Sequence, residues 1–244
     1  MRYGHAWKTI LPAVGALLLA GCSAPASGTP AAAATPSATP TSAPAPATPP
    51  PADLPAAGKN LIVNGDAEAA PGTDGQTVAP TVPGWTRTGQ FTAVAYDTEG
   101  SGNYPTPKDP GPQDRGRNFF SGGPDGDRST AVQTIDVSDQ GALIDGGRVP
   151  YSLSAWLGGY RGQDDQAQLS ARFLGADGGV LATASLPAVL DVDRGGKTAL
   201  VLRTATGMVP ARTRRIEVDL VMTRKAGTAN DGYADDLALV LGAA

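Results

Sequence analysis

Cysteine and histidine are all but missing from this chain of 244 residues, which holds one of each, Cys22 and His5. A lone cysteine closes no disulfide within the chain, so no cystine framework supports the fold. Aromatic residues make up only 5% of the sequence, too few for a broad stacking platform. Basic residues are outnumbered, 19 Lys and Arg against 23 Asp and Glu, and they form no patch. That balance argues against a nucleic-acid partner. Past residue 20 no apolar run approaches the roughly 20 residues a membrane span requires.

The opening has a pattern of its own. Arg2 and Lys8 precede an apolar stretch from Ile10 to Ala20, followed by Leu19-Ala20-Gly21-Cys22. A short basic region, an apolar region and small residues before a cut describe a secretory signal peptide over residues 1–21. The Leu-Ala-Gly-Cys ending resembles the lipobox of bacterial lipoproteins. That resemblance implies cleavage before Cys22, diacylation of its sulfur, and attachment to the outer face of the bacterial cell membrane through lipid alone. His5 would leave with the signal and Cys22 would carry lipid, so no imidazole and no free thiol would remain. Ser-His-Asp and Cys-His catalysis and His-ligated zinc fall away together. Losing Arg2 and Lys8 leaves 17 basic against 23 acidic residues, a net charge of about −6.

From Cys22 to residue 57 the chain is almost wholly Ala, Pro, Thr and Ser, with Asp53 its single charge. Such a composition buries too little apolar surface to offset the entropy of ordering it. It reads as a semi-rigid linker, reaching roughly 100 Å at about 3 Å per residue. Residues 58–244 suit one domain. Short alternating runs separated by Gly, Pro and Asp clusters predict nine or ten strands, and with them an all-β, antiparallel two-sheet sandwich. The runs are Leu61–Asn64, Phe91–Tyr96, Asn118–Phe120, Ala131–Val137, Tyr151–Leu157, Gln166–Phe173, Val180–Leu186, Thr198–Arg203, Arg215–Thr223 and Leu237–Leu241. Asp177-Gly178-Gly179 reads as a hairpin turn. The Gly-, Pro- and Asp-rich stretch from Thr98 to Asp127 is long for a loop in a compact domain and is the expected binding rim.

Asn60-Leu61-Ile62-Val63-Asn64-Gly65-Asp66-Ala67-Glu68 is similar to the opening of galactose-binding-like jelly-roll modules of the carbohydrate-binding type, and Tyr233-Ala234-Asp235-Asp236-Leu237 to their closing strand. Pro83-Gly84-Trp85, Phe120-Ser121-Gly122-Gly123 and Gln133-Thr134-Ile135-Asp136-Val137 fall in the matching order between them. The resemblance implies a jelly-roll sandwich, first and last strands side by side, and a structural calcium held by Glu68 and Asp235, with Asp236 as second choice. The residues agree in part, because calcium takes several oxygen ligands and this chain offers oxygen alone. Asp235 shares alternation parity with Leu237 and Leu239, which points it into the sandwich, where it needs a partner. A salt bridge to Arg or bonds to backbone amides would serve instead of a metal.

The resemblance also implies a sugar ligand, bound by aromatic rings with polar groups around them. The candidates are Trp156, Tyr160, Tyr96 and Tyr104, with Arg161, Gln163, Asp164 and Asp165 nearby. Trp156 shares parity with Ser152 and Ser154, opposite the aliphatic set, whereas Trp85 reads as a core plug. Three classes of function remain: a non-catalytic carbohydrate-binding or adhesion module, a structural or protein-binding envelope domain, and a glycan-active enzyme. The enzyme would need two converging carboxyls, for which Asp164 with Asp165 and Asp125 with Asp127 are the candidates. Oligomeric state is not legible.

Overall fold

The computed structural model describes residues 58–97 and 104–242. The expected signal segment, Cys22 and the linker lie outside the described residues, as does the stretch 98–103. In chain order the strands are β1 (Thr86–Thr88), β2 (Thr92–Ala95), β3 (Asn118–Gly123), β4 (Arg128–Asp136), β5 (Pro150–Gly159), β6 (Gln166–Leu174), β7 (Val180–Ser185), β8 (Ala199–Met208), β9 (Arg215–Thr223) and β10 (Asn230–Leu241). Two short helices, α1 (Gly141–Asp145) and α2 (Asp191–Arg194), sit in connections. One sheet runs β1-β4-β9-β6-β7 and the other β2-β3-β10-β5-β8. Every strand pair is antiparallel. The expected all-β, two-sheet antiparallel sandwich is what the chain forms.

Alternation explains the layering. On β9, Ile216, Val218, Leu220 and Met222 are each fully buried, and on β6 so are Leu169, Ala171 and Phe173. They meet Phe120, Leu153, Leu157 and Leu239 from the other sheet in one core. Trp85 plugs that core as expected, its ring centroid 5.9 Å from that of Phe120 and its Nε1 donating to Asn64 O at 3.1 Å. The hairpin at Asp177 joins β6 to β7, with Gly175 N donating to Gly179 O at 2.9 Å.

The run Leu61–Asn64 differs from expectation, being turn rather than strand. Its neighbour Asn60 replaces a piece of backbone ladder. The Asn60 side chain donates to Leu237 O at 2.9 Å and accepts from Leu239 N at 3.0 Å. Leu61 N donates to Leu239 O at 2.8 Å, and Leu237 N to Gly65 O at 2.9 Å. A Cβ on Gly65 would lie 2.1 Å from Leu237 O, so only glycine allows so close an approach. The two ends of the folded region therefore lie together, as the resemblance implied.

Leu220 is fully buried at the centre of the core. We expect Leu220→Ala to lower unfolding free energy by about 2–5 kcal/mol in a urea titration. A loss under about 1 kcal/mol would contradict the packing described.

Candidate functional site

The second sheet has two faces of different character. Ala93, Phe120, Leu157 and Ala234 point into the core. Val94, Phe119, Leu200 and Tyr233 point the other way, into a separate cluster with Tyr96 and Tyr104. Cross-strand register aligns Leu202, Trp156 and Asp235 on this outer face. Tyr233 shares this face along β10, and its hydroxyl donates to Asp231 Oδ1 at 2.7 Å.

Asp235 thus faces opposite to the expectation, and the reason is a bulge. Pairing with β5 skips between Asp235 and Ala238, and Asp236 takes a φ of +48°. One extra residue reverses the parity between Asp235 and Leu237. Asp235 remains fully buried, but beneath Tyr96, whose hydroxyl donates to Oδ2 at 2.7 Å; Asp236 N donates to Oδ1 at 2.8 Å. Burial, with Asp236 and Glu68 as further contributors, pushes the Asp235 acid up to about 8 despite those bonds.

Glu68 is likewise engaged. Its Oε1 accepts from Arg117 N at 2.6 Å and Asn118 N at 2.7 Å, and Oε2 meets Arg117 Nε at 3.3 Å. Burial raises Asp236, with Asp114 and Asp66 adding like charge. Among the described residues no group of three or more His, Cys, Asp or Glu is placed to hold a metal ion. Glu68 and Asp235, two of the residues expected to hold calcium, here accept N–H and O–H donors of the chain itself. Glu68 thereby latches the opening loop onto the start of β3.

The described part of the expected rim, from Tyr104 onward, folds back as a roof. Pro110 O accepts from Leu200 N at 2.9 Å on β8, and the Arg115 guanidinium lies 5.1 Å from the Tyr96 ring centroid. Tyr96 and Tyr104 are only 2% and 6% exposed. Their expected role as sugar-stacking rings is corrected: both cover the sheet, and the Tyr104 hydroxyl donates to Gly75 O at 2.6 Å. Gly75 makes room for that ring, since a Cβ there would sit 2.0 Å from it.

The roof leaves the β5–β8 half open. Trp156 is partly exposed there, beside Leu202, Thr204, Thr206 and Met208; Ser152 and Ser154 are buried. Tyr160 is partly buried, with Arg161 stacked 4.9 Å from its centroid, so one face of the ring is taken. The proposed acidic pair diverges. Asp165 is fully buried and accepts backbone N–H from Lys225, Ala226 and Asp231 at 2.5, 2.8 and 2.9 Å. Asp164 is exposed and accepts from Asp191 N at 3.0 Å. Asp125 caps Gly126 N at 2.6 Å, while Asp127 pairs with Arg224. Neither pair opposes two carboxyls across a groove.

Gln163 lies elsewhere, in the wall of a cavity of about 210 Å³ that Tyr104 also borders. Sequence reading missed its other members, Gln76, Thr228 and Asp231. Asp231 could have been found from its parity with Tyr233; Thr228 and Gln76 carry no sequence signal.

No protein-family model matches this chain, and no curated protein matches it. Similar solved structures include the enzymatically active domain of tailspike protein 4 from bacteriophage CBA120, at 17% identity and a TM-score of 0.43 over 75% of this chain and 21% of that one. The CBM22-1–GH10 modules of a Clostridium thermocellum xylanase give 14% and 0.38 over 76% of this chain and 28% of theirs. The CBM22-1 xylan-binding domain from Paenibacillus barcinonensis gives 12% and 0.37 over 69% and 92%. The chain thus spans under a third of the first two. Likeness this distant carries no argument about function, and the sandwich stands on its own strand pairing.

Burial pushes the Asp231 acid up to about 6 from 3.8. Because the folded value is the higher one, the protonated form stabilises the fold. That contribution is complete below about pH 4 and is lost as pH rises through about 6, by at most about 3 kcal/mol. We expect Asp231→Asn to melt higher than the parent at pH 7.5 and to show a shallower decline from pH 4 to 7. Parallel curves for the two proteins would refute this.

Proposed function

We propose that this protein is an exported lipoprotein, anchored through Cys22 to the outer face of the bacterial cell membrane. Its 22–57 linker presents a non-catalytic carbohydrate-binding or adhesion module. The observation that carries the reading is Trp156, partly exposed on the unroofed half of a sheet face, with Leu202 at 42% exposure and the exposed Thr204 and Thr206 alongside. An indole face suits the C–H face of a sugar ring, while threonine hydroxyls reach its oxygens. The non-catalytic part is supported by the divergence of Asp164 from Asp165 and by the roof over Asp235. A second reading, a structural or protein-binding envelope domain, draws on the burial of Tyr96 and Tyr104, which removes two of the four candidate rings.

Titration with xylohexaose and other β-linked oligosaccharides separates the readings. On the binding reading Trp156→Ala weakens affinity tenfold or more, about 1.4 kcal/mol, while melting changes little. Unchanged binding in that variant would reject the site, and failure to bind any glycan would favour the structural class.

On this reading the seam between opening and closing segments holds by hydrogen bonds without a cation. Chelation with EGTA leaves the melting temperature unchanged, and Glu68→Ala destabilises by about 1–3 kcal/mol through the two amide donors it strands. A chelator-induced fall that Glu68→Ala abolishes would restore calcium as the family resemblance implies.

A further inference from the structure

The cavity beside Gln163 is a built site. It lies among the 160–165 loop, the connection from β9 to β10, and Gln76 with Tyr104. Each wall is held from behind. Arg194, only 5% exposed, donates to Gly159 O at 2.9 Å, Arg161 O at 2.7 Å and Gln163 O at 2.5 Å. Buried Asp165 gathers three backbone amides of the opposite wall, and Arg224 closes the turn between them by donating to Gly227 O at 2.9 Å and Thr228 O at 3.1 Å. Tyr104 is fixed through Gly75 O.

Two acceptors bordering this cavity lack donors. Asp231 is 3% exposed; its Oδ1 accepts from the Tyr233 hydroxyl at 2.7 Å, whereas Oδ2 has no hydrogen-bond partner among the described residues. Gln163 Oε1 is buried and has none either. The charged neighbour acting on Asp231 is Asp165, another acid, so no cation compensates the carboxylate. A buried carboxylate without a counter-charge destabilises a fold, and a donor-bearing ligand in the adjoining cavity would relieve that cost. The volume of about 210 Å³ suits one small ring rather than a stretch of polymer. Exposed Gln76 and Thr228 at the mouth are suited to hydroxyl groups.

We propose that the cavity bordered by Asp231, Gln163, Gln76 and Thr228 binds a primary ammonium carried on a small hydroxylated ring, that is, an unacetylated amino sugar. Asp231 Oδ2 takes the ammonium, Gln163 Oε1 takes a hydroxyl or the same amine, and the Tyr104 ring lines one side. No bond is made or broken. The site is separate from the Trp156 face, so either can fail without the other.

Calorimetric or NMR titration of the folded protein at pH 6.5 compares D-glucosamine, N-acetylglucosamine and glucose, with the amide of N-acetyl-lysine as a fourth probe. Glucosamine is expected to bind at least tenfold tighter than the two sugars lacking a free amine. Asp231→Asn abolishes that preference, Gln163→Met weakens glucosamine binding several-fold, and Trp156→Ala leaves it unchanged. Equal affinity for the three sugars, no glucosamine binding at tens of millimolar, or a preference surviving Asp231→Asn each overturns the proposal. The lysine amide binding as tightly as glucosamine would overturn the assignment to a sugar. Should Asp231→Asn fail to fold, unaltered glucosamine affinity in Gln163→Met is the refuting result.

Discussion

One residue inserted into the last strand organises this domain. β10 sits at the centre of its sheet, between β3 and β5, and is met at its far end by the opening segment through Asn60, Leu61 and Gly65. Before the bulge at Asp236, Ala234 faces the core and Tyr233 and Asp235 face outward. After it, Leu237, Leu239 and Leu241 face the core. A strand without the bulge would drive one of those sets to the wrong side, because side-chain period is two. The inter-sheet core and the polar outer face coexist on one strand because of it.

The outer face then has to accommodate carboxylates away from water, and it does so in three ways. Asp165 is satisfied outright by three amides. Asp235 is capped by a tyrosine hydroxyl and an adjacent amide, and burial still raises its acid. Asp231 keeps one oxygen unengaged beside a cavity. Arginine does structural work nearby: Arg194 gives its donors to backbone carbonyls, and Arg224 divides its own between backbone carbonyls and Asp127, so both hold loops rather than neutralising Asp231.

Shape follows from that arrangement. Arg115 lies over Tyr96 and Tyr104 packs against Phe119 and Tyr233, covering that part of the sheet face, while Trp156 stays partly exposed and the β8 threonines exposed. At the end of the sandwich, the loops held by Asp165 and Arg194 enclose the small acidic cavity. On the two proposals made above, an extended glycan would use the open face and a single ring the enclosure.

Nine of the ten strands were legible in the sequence, the short edge strand β1 being missed, because the period-two pattern of Ile216 to Met222 or Leu153 to Leu157 is a local consequence of one buried face. Trp85 as a core plug and the Asp177 hairpin were legible for the same local reason. Local pattern did not reveal that Tyr96 and Tyr104 would be roofed, since their covering comes from contacts distant in sequence, Tyr96 with Asp235 across 139 residues among them. It also placed Asp235 on the wrong face, because alternation holds only while pairing is regular and nothing in Tyr-Ala-Asp-Asp-Leu announces the bulge. The amino-acid sequence by itself determined the sandwich and the residue types available to it. Tertiary structure alone decided which of those residues face water and which carboxylate oxygen was left without a donor, because register and long-range closure set both.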